Sequence, residues 1–185
     1  IVGLRGMLPK VSVIMRIYNS EKYVRAAIES VVSQDYPGHV ELIVCYDKGS
    51  TDDTLGIVES CLDSMSSVSR TMKLIRHEHT SPFEALSVYG FSNCTGQYVA
   101  FLDYDNVFPR TYIRSVVEYA SNNDCQFLFT RARLIDKNGK DLGRYLFEIP
   151  KDFHSLKRIM LRNYIDANTM SALSLIHISE PTRPY

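Results

Sequence analysis

The sequence predicts an α/β fold, a mostly parallel sheet flanked by helices, and three observations predict it. Short β-branched apolar runs alternate with amphipathic helical stretches along most of the chain. Each run gives way to a loop rich in Asp, Asn, Ser, Thr or Gly. The composition, 45% hydrophobic with 21 basic and 21 acidic residues in 185, supplies one ordinary core and no net charge. Strands alternating with helices call for right-handed crossovers, and in such sheets ligands sit at the carboxyl ends of the strands.

The elements follow in order. Val11 to Met15 is a strand ending at the loop Tyr18-Asn19-Ser20, with Ser20 placed to cap a helix from Glu21 to about Gln34. In that helix Tyr23, Ala26, Ala27, Ile28, Val31 and Val32 fall mostly on one stripe, while Glu21, Lys22, Arg25 and Glu29 face away. Tyr36-Pro37-Gly38 ends it. Glu41 to Tyr46 is a second buried strand, and Asp47-Lys48-Gly49-Ser50-Thr51 turns into a helix through about Leu62, capped by Ser50, Thr51 or Asp52. A third strand, Met72 to Arg76, leads through the loop His77 to Ser81 to a helix opening at Pro82 and stopped by Gly96. A fourth, Gln97 to Leu102, ends in Asp103-Tyr104-Asp105-Asn106. Beyond Pro109 come a helix to about Asn122, a strand Gln126 to Ile135, a turn at 137 to 140, a returning segment Asp141 to Phe147 forming a hairpin beside the sheet, and a helix Ser155 to Arg162.

Composition excludes several classes. A balanced charge gives no electrostatic footprint for nucleic acid and no basic stripe for an anionic membrane, and the apolar runs fall far short of a bilayer span. Residues 1–10 have no signal-peptide core, and Cys45, Cys61, Cys94 and Cys125 form no paired motif, which reads as reduced thiols in a cytoplasmic protein. Residues Leu173 to Arg183 resemble the translation of a sequencing-library adapter, so 173–185 are set apart from the fold. Met7 is a plausible start, and 7–172 form one domain, incomplete at its C-terminus.

Asp103 and Asp105, two carboxylates one residue apart after a buried strand, suit a hard divalent cation, which takes one or two protein carboxylates and fills its shell with water and phosphate oxygens. Isolated Asp-x-Asp pairs also occur by chance in loops, and the position after a strand favours the metal reading. Asp47, at another strand end, either meets a ligand edge or caps the following helix, roles that are compatible. Tyr18 and Asn19 are placed to stack on and hydrogen-bond a base, with a rim aromatic as the alternative for Tyr18. Asp52 and Asp53 favour the helix dipole. His77 and His79 match no metal signature and read as a loop near the phosphates. The motifs of serine hydrolases, P-loop NTPases and dinucleotide enzymes are missing.

Taken in order, residues 11–20, Ser33-Gln34-Asp35-Tyr36-Pro37, residues 41–54 and residues 96–106 resemble family 2 glycosyltransferases, over roughly Pro9 to Ala172. The resemblance implies a GT-A (Rossmann-like) fold, a nucleotide-diphosphate sugar donor, most commonly a UDP-sugar, and inversion at the anomeric carbon. By it, Arg16, Ile17, Tyr18, Asn19, Asp47, Lys48, Asp103 and Tyr104 line the nucleotide-sugar site. Asp105 with Asp103 holds Mn²⁺ or Mg²⁺, which neutralises the leaving diphosphate. The implied acceptor is a glycan or a lipid-linked acceptor in the synthesis of a cell-surface polysaccharide or glycoconjugate, the implied location is cytoplasmic or the cytoplasmic face of a membrane, and no nucleic acid partner is implied. The chain departs from the family at Arg16-Ile17, where Pro-Thr is usual, and at Lys48 and Asn106, where Asp is usual. The catalytic base is expected downstream of Ala172. The rivals are an inactive nucleotide-sugar-binding fragment and a nucleotidyltransferase, the latter disfavoured because residues 16–20 hold no glycine.

Overall fold

A computed structural model describes residues 8–65, 67–123, 127–146 and 170–173. Strand β1 (Val11–Ile17) is followed by α1 (Val24–Val32), β2 (Val40–Asp47), α2 (Thr54–Met65) and β3 (Arg70–His77). A helical segment then runs from α3 (Pro82–Glu84) through a π-helical turn (Ala85–Gly90) and a 3₁₀ turn (Phe91–Asn93) to β4 (Tyr98–Phe101). Helix α4 (Tyr112–Asn123), β5 (Phe127–Phe129), the pair β6 (Arg133–Ile135) and β7 (Asp141–Tyr145), and β8 (Met170–Leu173) complete the described elements.

The main sheet has the order β3-β2-β1-β4-β8-β5. Its first four strands are parallel, with Val11 opposite both Val40 and Tyr98, and β8 runs antiparallel between β4 and β5. Strand alternation splits the core in two. Val13, Met15 and Ile17 pack with Val24, Ile28 and Val31 of α1, Val58 and Cys61 of α2, and Ile113 and Val117 of α4. Ile14, Ile43, Cys45 and Val99 face the other way, against Leu86, Tyr89 and Phe91 of the 82–93 segment. Helices cover both faces, as parallel strands require.

Three boundaries differ from the sequence reading. Helix α1 starts at Val24 rather than Glu21, because the Ser20 hydroxyl turns back onto Tyr18 instead of capping, while the Ser20 carbonyl accepts from the N–H groups of Tyr23 and Val24. The single strand expected over 126–135 divides into β5, which joins the main sheet, and β6, which pairs with β7 in a separate two-stranded sheet. Strand β8 places Leu173 opposite Tyr98, one residue past the expected limit at Ala172. The expected hairpin forms, its turn closed by the Gly139 N–H on the Asp136 carbonyl with Gly139 at φ +80°. The helix expected over 155–162 lies outside the described residues.

Cys45, Cys61 and Cys94 are free thiols. Burial, with a smaller contribution from Cys94, pushes Cys45 up to about 12, so it packs as a small hydrophobe rather than reacting. Among the described residues no helix is long and apolar enough to cross a membrane.

Candidate functional site

The four parallel strands deliver their exit loops to one edge of the sheet, and those loops are stitched together by side chains. Asn19, at φ +47°, accepts from the Thr51 N–H through Oδ1 at 2.8 Å. The Ser20 N–H donates to Thr54 Oγ1 at 2.6 Å. Glu21 and the residue pair Asp52-Asp53 exchange bonds in both directions, the Glu21 N–H to Asp52 Oδ2 and the Asp53 N–H to Glu21 Oε2, each at 3.0 Å. Asp52 Oδ1 also accepts from the Thr54 N–H at the start of α2, so the dipole role read from sequence becomes a concrete bond.

Asp47 closes β2 and is 4% exposed. Its Oδ1 accepts from the Gly49 N–H at 2.8 Å and its Oδ2 lies 2.9 Å from His79 Nδ1. Burial alone raises a carboxyl, but the bonds from Gly49, His79 and Thr80 outweigh it and hold Asp47 below its ordinary value. An ionised carboxylate only accepts, so His79 Nδ1 is the donor. The His79 ring, two-thirds exposed, stands 5.3 Å from the Tyr18 ring at a tilt of 44°. The space at Gly49 is tight: a Cβ there would lie 3.0 Å from Asp47 Oδ1 and 3.1 Å from His79 Nδ1 and would press on that pair.

Other expected residues are placed as follows. Arg16 is half-buried on β1 opposite Cys45. Ile17 is fully buried in the core, so its side chain belongs to the sheet packing and only its backbone reaches the edge. Lys48 is exposed and forms an ion pair with Glu78. Exposed pairs of this kind are worth about 0–1 kcal/mol, so the ammonium is readily given over to another anion.

Asp103, Tyr104 and Asp105 leave β4 beside the β1 exit, with the Leu102 N–H still bonded to the Ile14 carbonyl at 3.0 Å. Asp103 and Tyr104 are half-buried, and Asp105 is exposed with Asn106 Nδ2 at 3.4 Å from its Oδ1. Among the described residues no three His, Cys, Asp or Glu side chains converge. That donor set still fits Mg²⁺ or Mn²⁺, since two oxygen-only ligands on a solvent-facing turn are the usual protein share of such a shell.

By sequence alone His79 reads as a loop residue with no tie to Asp47. The information that joins them is the register of β2 on β3, which sets His77 opposite Asp47 and so carries residue 79 over the same edge.

The mostly parallel α/β sheet of this strand order, flanked by helices on both faces, has the GT-A fold. The chain belongs to glycosyl transferase family 2, whose profile matches residues 12–175. Its relatives include EpsE of Bacillus subtilis, which carries the name of a glycosyltransferase and is 35% identical over 144 residues, 77% of this chain and 50% of EpsE. Another is the minor teichoic acid biosynthesis protein GgaA of the same organism, 33% identical over 117 residues, 61% of this chain and 25% of GgaA. Among solved structures, residues 1–349 of Staphylococcus aureus TarS in complex with UDP-GlcNAc superpose with a TM-score of 0.66 at 23% identity, over 89% of this chain and 45% of that 1–349 chain. The chain thus spans half or less of the length of these proteins.

Proposed function

We propose that this chain is the donor-binding portion of a metal-dependent, inverting glycosyltransferase that uses a UDP-sugar to extend a cell-surface glycan or a lipid-linked glycan. The observation that carries the reading is the convergence, at one sheet edge, of an ionised and buried Asp47, the Tyr18 and His79 rings, and the Asp103-Tyr104-Asp105 turn. In this reading Tyr18 stacks on the base, Asp47 accepts a hydrogen bond from it, and Asn19 fixes the loop that presents Tyr18. Asp103 and Tyr104 border the ribose and sugar. Arg16, the Ile17 backbone and Lys48 line the route to the phosphates, Lys48 leaving Glu78 for the diphosphate. Asp105 and Asp103 hold Mn²⁺ or Mg²⁺, which when bound offsets charge on the diphosphate leaving group. The acceptor hydroxyl attacks the anomeric carbon from the face opposite that leaving group.

The complex of TarS with UDP-GlcNAc supports the uridine assignment, and the name of GgaA supports a wall-polymer product. The test is calorimetric titration of the chain with UDP, GDP and TDP, with and without Mn²⁺. The expected result is binding of UDP that strengthens with Mn²⁺. A folded sample that binds no nucleotide overturns the proposal in favour of an inactive family member, and binding indifferent to Mn²⁺ overturns its metal dependence.

A further inference from the structure

The expectation of no basic stripe for an anionic membrane rests on the balanced charge of the whole chain, which conceals one strongly uneven segment. Residues 131–146, the β6–β7 hairpin with its flanks, hold Arg131, Arg133, Lys137, Lys140 and Arg144 against Asp136 and Asp141, a local charge of +3 in 16 residues. The hairpin forms its own two-stranded sheet apart from the main one, and every residue of β7 is exposed. Its apolar side chains are turned outward too: Ile135, Leu142, Tyr145 and Leu146 are each 37–43% exposed.

Local geometry keeps that pattern in place. Between Arg133↔Tyr145 and Ile135↔Asp141 the register shifts, with Gly143 at φ +68° and its N–H on Asp141 Oδ1 at 2.8 Å. This bulge is what breaks strict alternation along β7. Arg131 stacks over the Tyr145 ring at 4.0 Å and Arg133 reaches Asp141 at 3.1 Å, which leaves Lys137, Lys140 and Arg144 without an ion-pair partner among the described residues.

We propose that the β6–β7 hairpin is a docking surface for an anionic phospholipid membrane. Cations alone would suit any polyanion, but leucines and a tyrosine interleaved with them suit an interface with charged headgroups above and acyl chains below. A second copy of the chain is disfavoured as occupant, because it would bring the same positive charge to the contact. The inference is independent of the donor-site reading, since it uses none of the residues at the strand edge.

The test is flotation of the full chain with vesicles of phosphatidylcholine, with and without about one-third phosphatidylglycerol. Binding is expected only to the anionic vesicles, weakening as salt rises. The double variant Lys137→Glu, Lys140→Glu, placed in the exposed turn where folding is not at stake, is expected to lower partitioning on the order of tenfold or more. Leu142→Ser with Leu146→Ser is expected to lower it as well, with unchanged circular dichroism and unchanged UDP affinity as controls. No binding to anionic vesicles, or binding that both variants leave intact, overturns the proposal. So does tighter binding to heparin or an RNA duplex that depends on the lysines and ignores the leucines, which would make the hairpin a polyanion site instead.

Discussion

His79 Nδ1 stands 2.9 Å from Asp47 Oδ2, across two loops that the sequence separates by 31 intervening residues. Asp47 is buried and held ionised, while His79 is largely exposed, so the pair couples a fixed acceptor to a ring open to solvent. A carboxylate has about four acceptor positions, so with Gly49, His79 and Thr80 holding it in place Asp47 retains acceptor capacity for a ligand.

Asp47→Asn is expected to weaken UDP binding by about 1.5–3 kcal/mol, the usual worth of a hydrogen bond to a charged group, and His79→Ala to weaken it less. Calorimetry with UDP checks both. The pH dependence follows from the direction of the Asp47 shift. A carboxyl held below its ordinary value stays ionised through the neutral and mildly acidic range, so loss of binding through Asp47 is expected only below about pH 4.

Asp105→Ala is expected to abolish the Mn²⁺ dependence of UDP binding while leaving thermal stability within about 0.5 kcal/mol, because the side chain is exposed and contributes only a long contact to Asn106. Titration with UDP at several Mn²⁺ concentrations reads the first effect and thermal unfolding the second. An Asp105→Ala protein that responds to Mn²⁺ like the parent removes Asp105 from the metal assignment.

Much of this architecture was legible in the residues. The β-branched runs and their polar exits located the four parallel strands, since period and turn chemistry are local properties. The Asp103-Tyr104-Asp105 turn and Asp47 were visible for the same reason. What was not legible depends on which strands are neighbours. The Asp47–His79 pair needs the β2–β3 register, and the delayed start of α1 needs Asp52 and Thr54 to arrive from another loop and take the N–H groups of Glu21 and Ser20. Glu41 is the clearest case. By sequence it only opens the second strand, yet it is wholly buried and satisfied by groups from two separate segments, Lys10 and Ser12 on one side and Thr95 on the other.

That carboxylate makes a stability prediction. Glu41 accepts from the Ser12 hydroxyl at 2.5 Å, from the Thr95 N–H at 2.6 Å, and lies 2.8 Å from Lys10 Nζ. Burial drives its pKa up, and the bonds from Lys10, Ser12 and Thr95 override burial and bring it from 4.5 down to about 2. A depressed carboxyl stabilises the fold above its unfolded value and loses that contribution as pH falls through the folded one. The window is therefore pH 4.5 to about 2, with about 3 kcal/mol at stake above it. Glu41→Gln is expected to destabilise the chain by about 3 kcal/mol at neutral pH and to flatten acid unfolding in that window, read by denaturant melts at several pH values.

Gly90 supplies the last prediction, at the point where the π-helical turn meets β1. A Cβ at this position would lie 2.6 Å from Cγ2 and 3.3 Å from Cδ1 of Ile14, which is fully buried. Replacing glycine by alanine within a helical segment ordinarily stabilises by about 0.5–1 kcal/mol. Here the atom in the way is the branch methyl of a residue stiff at χ1, enclosed by Ile43 and Val99, so it has no free direction in which to yield. Overpacking of this kind costs about 1–3 kcal/mol and outweighs the gain, so Gly90→Ala is expected to lower stability. Ile14→Leu moves the branch away from Cβ, and the double variant Ile14→Leu, Gly90→Ala is therefore expected to be more stable than the sum of the single changes implies. Strict additivity in denaturant melts of the four proteins would mean that the two residues do not press on each other.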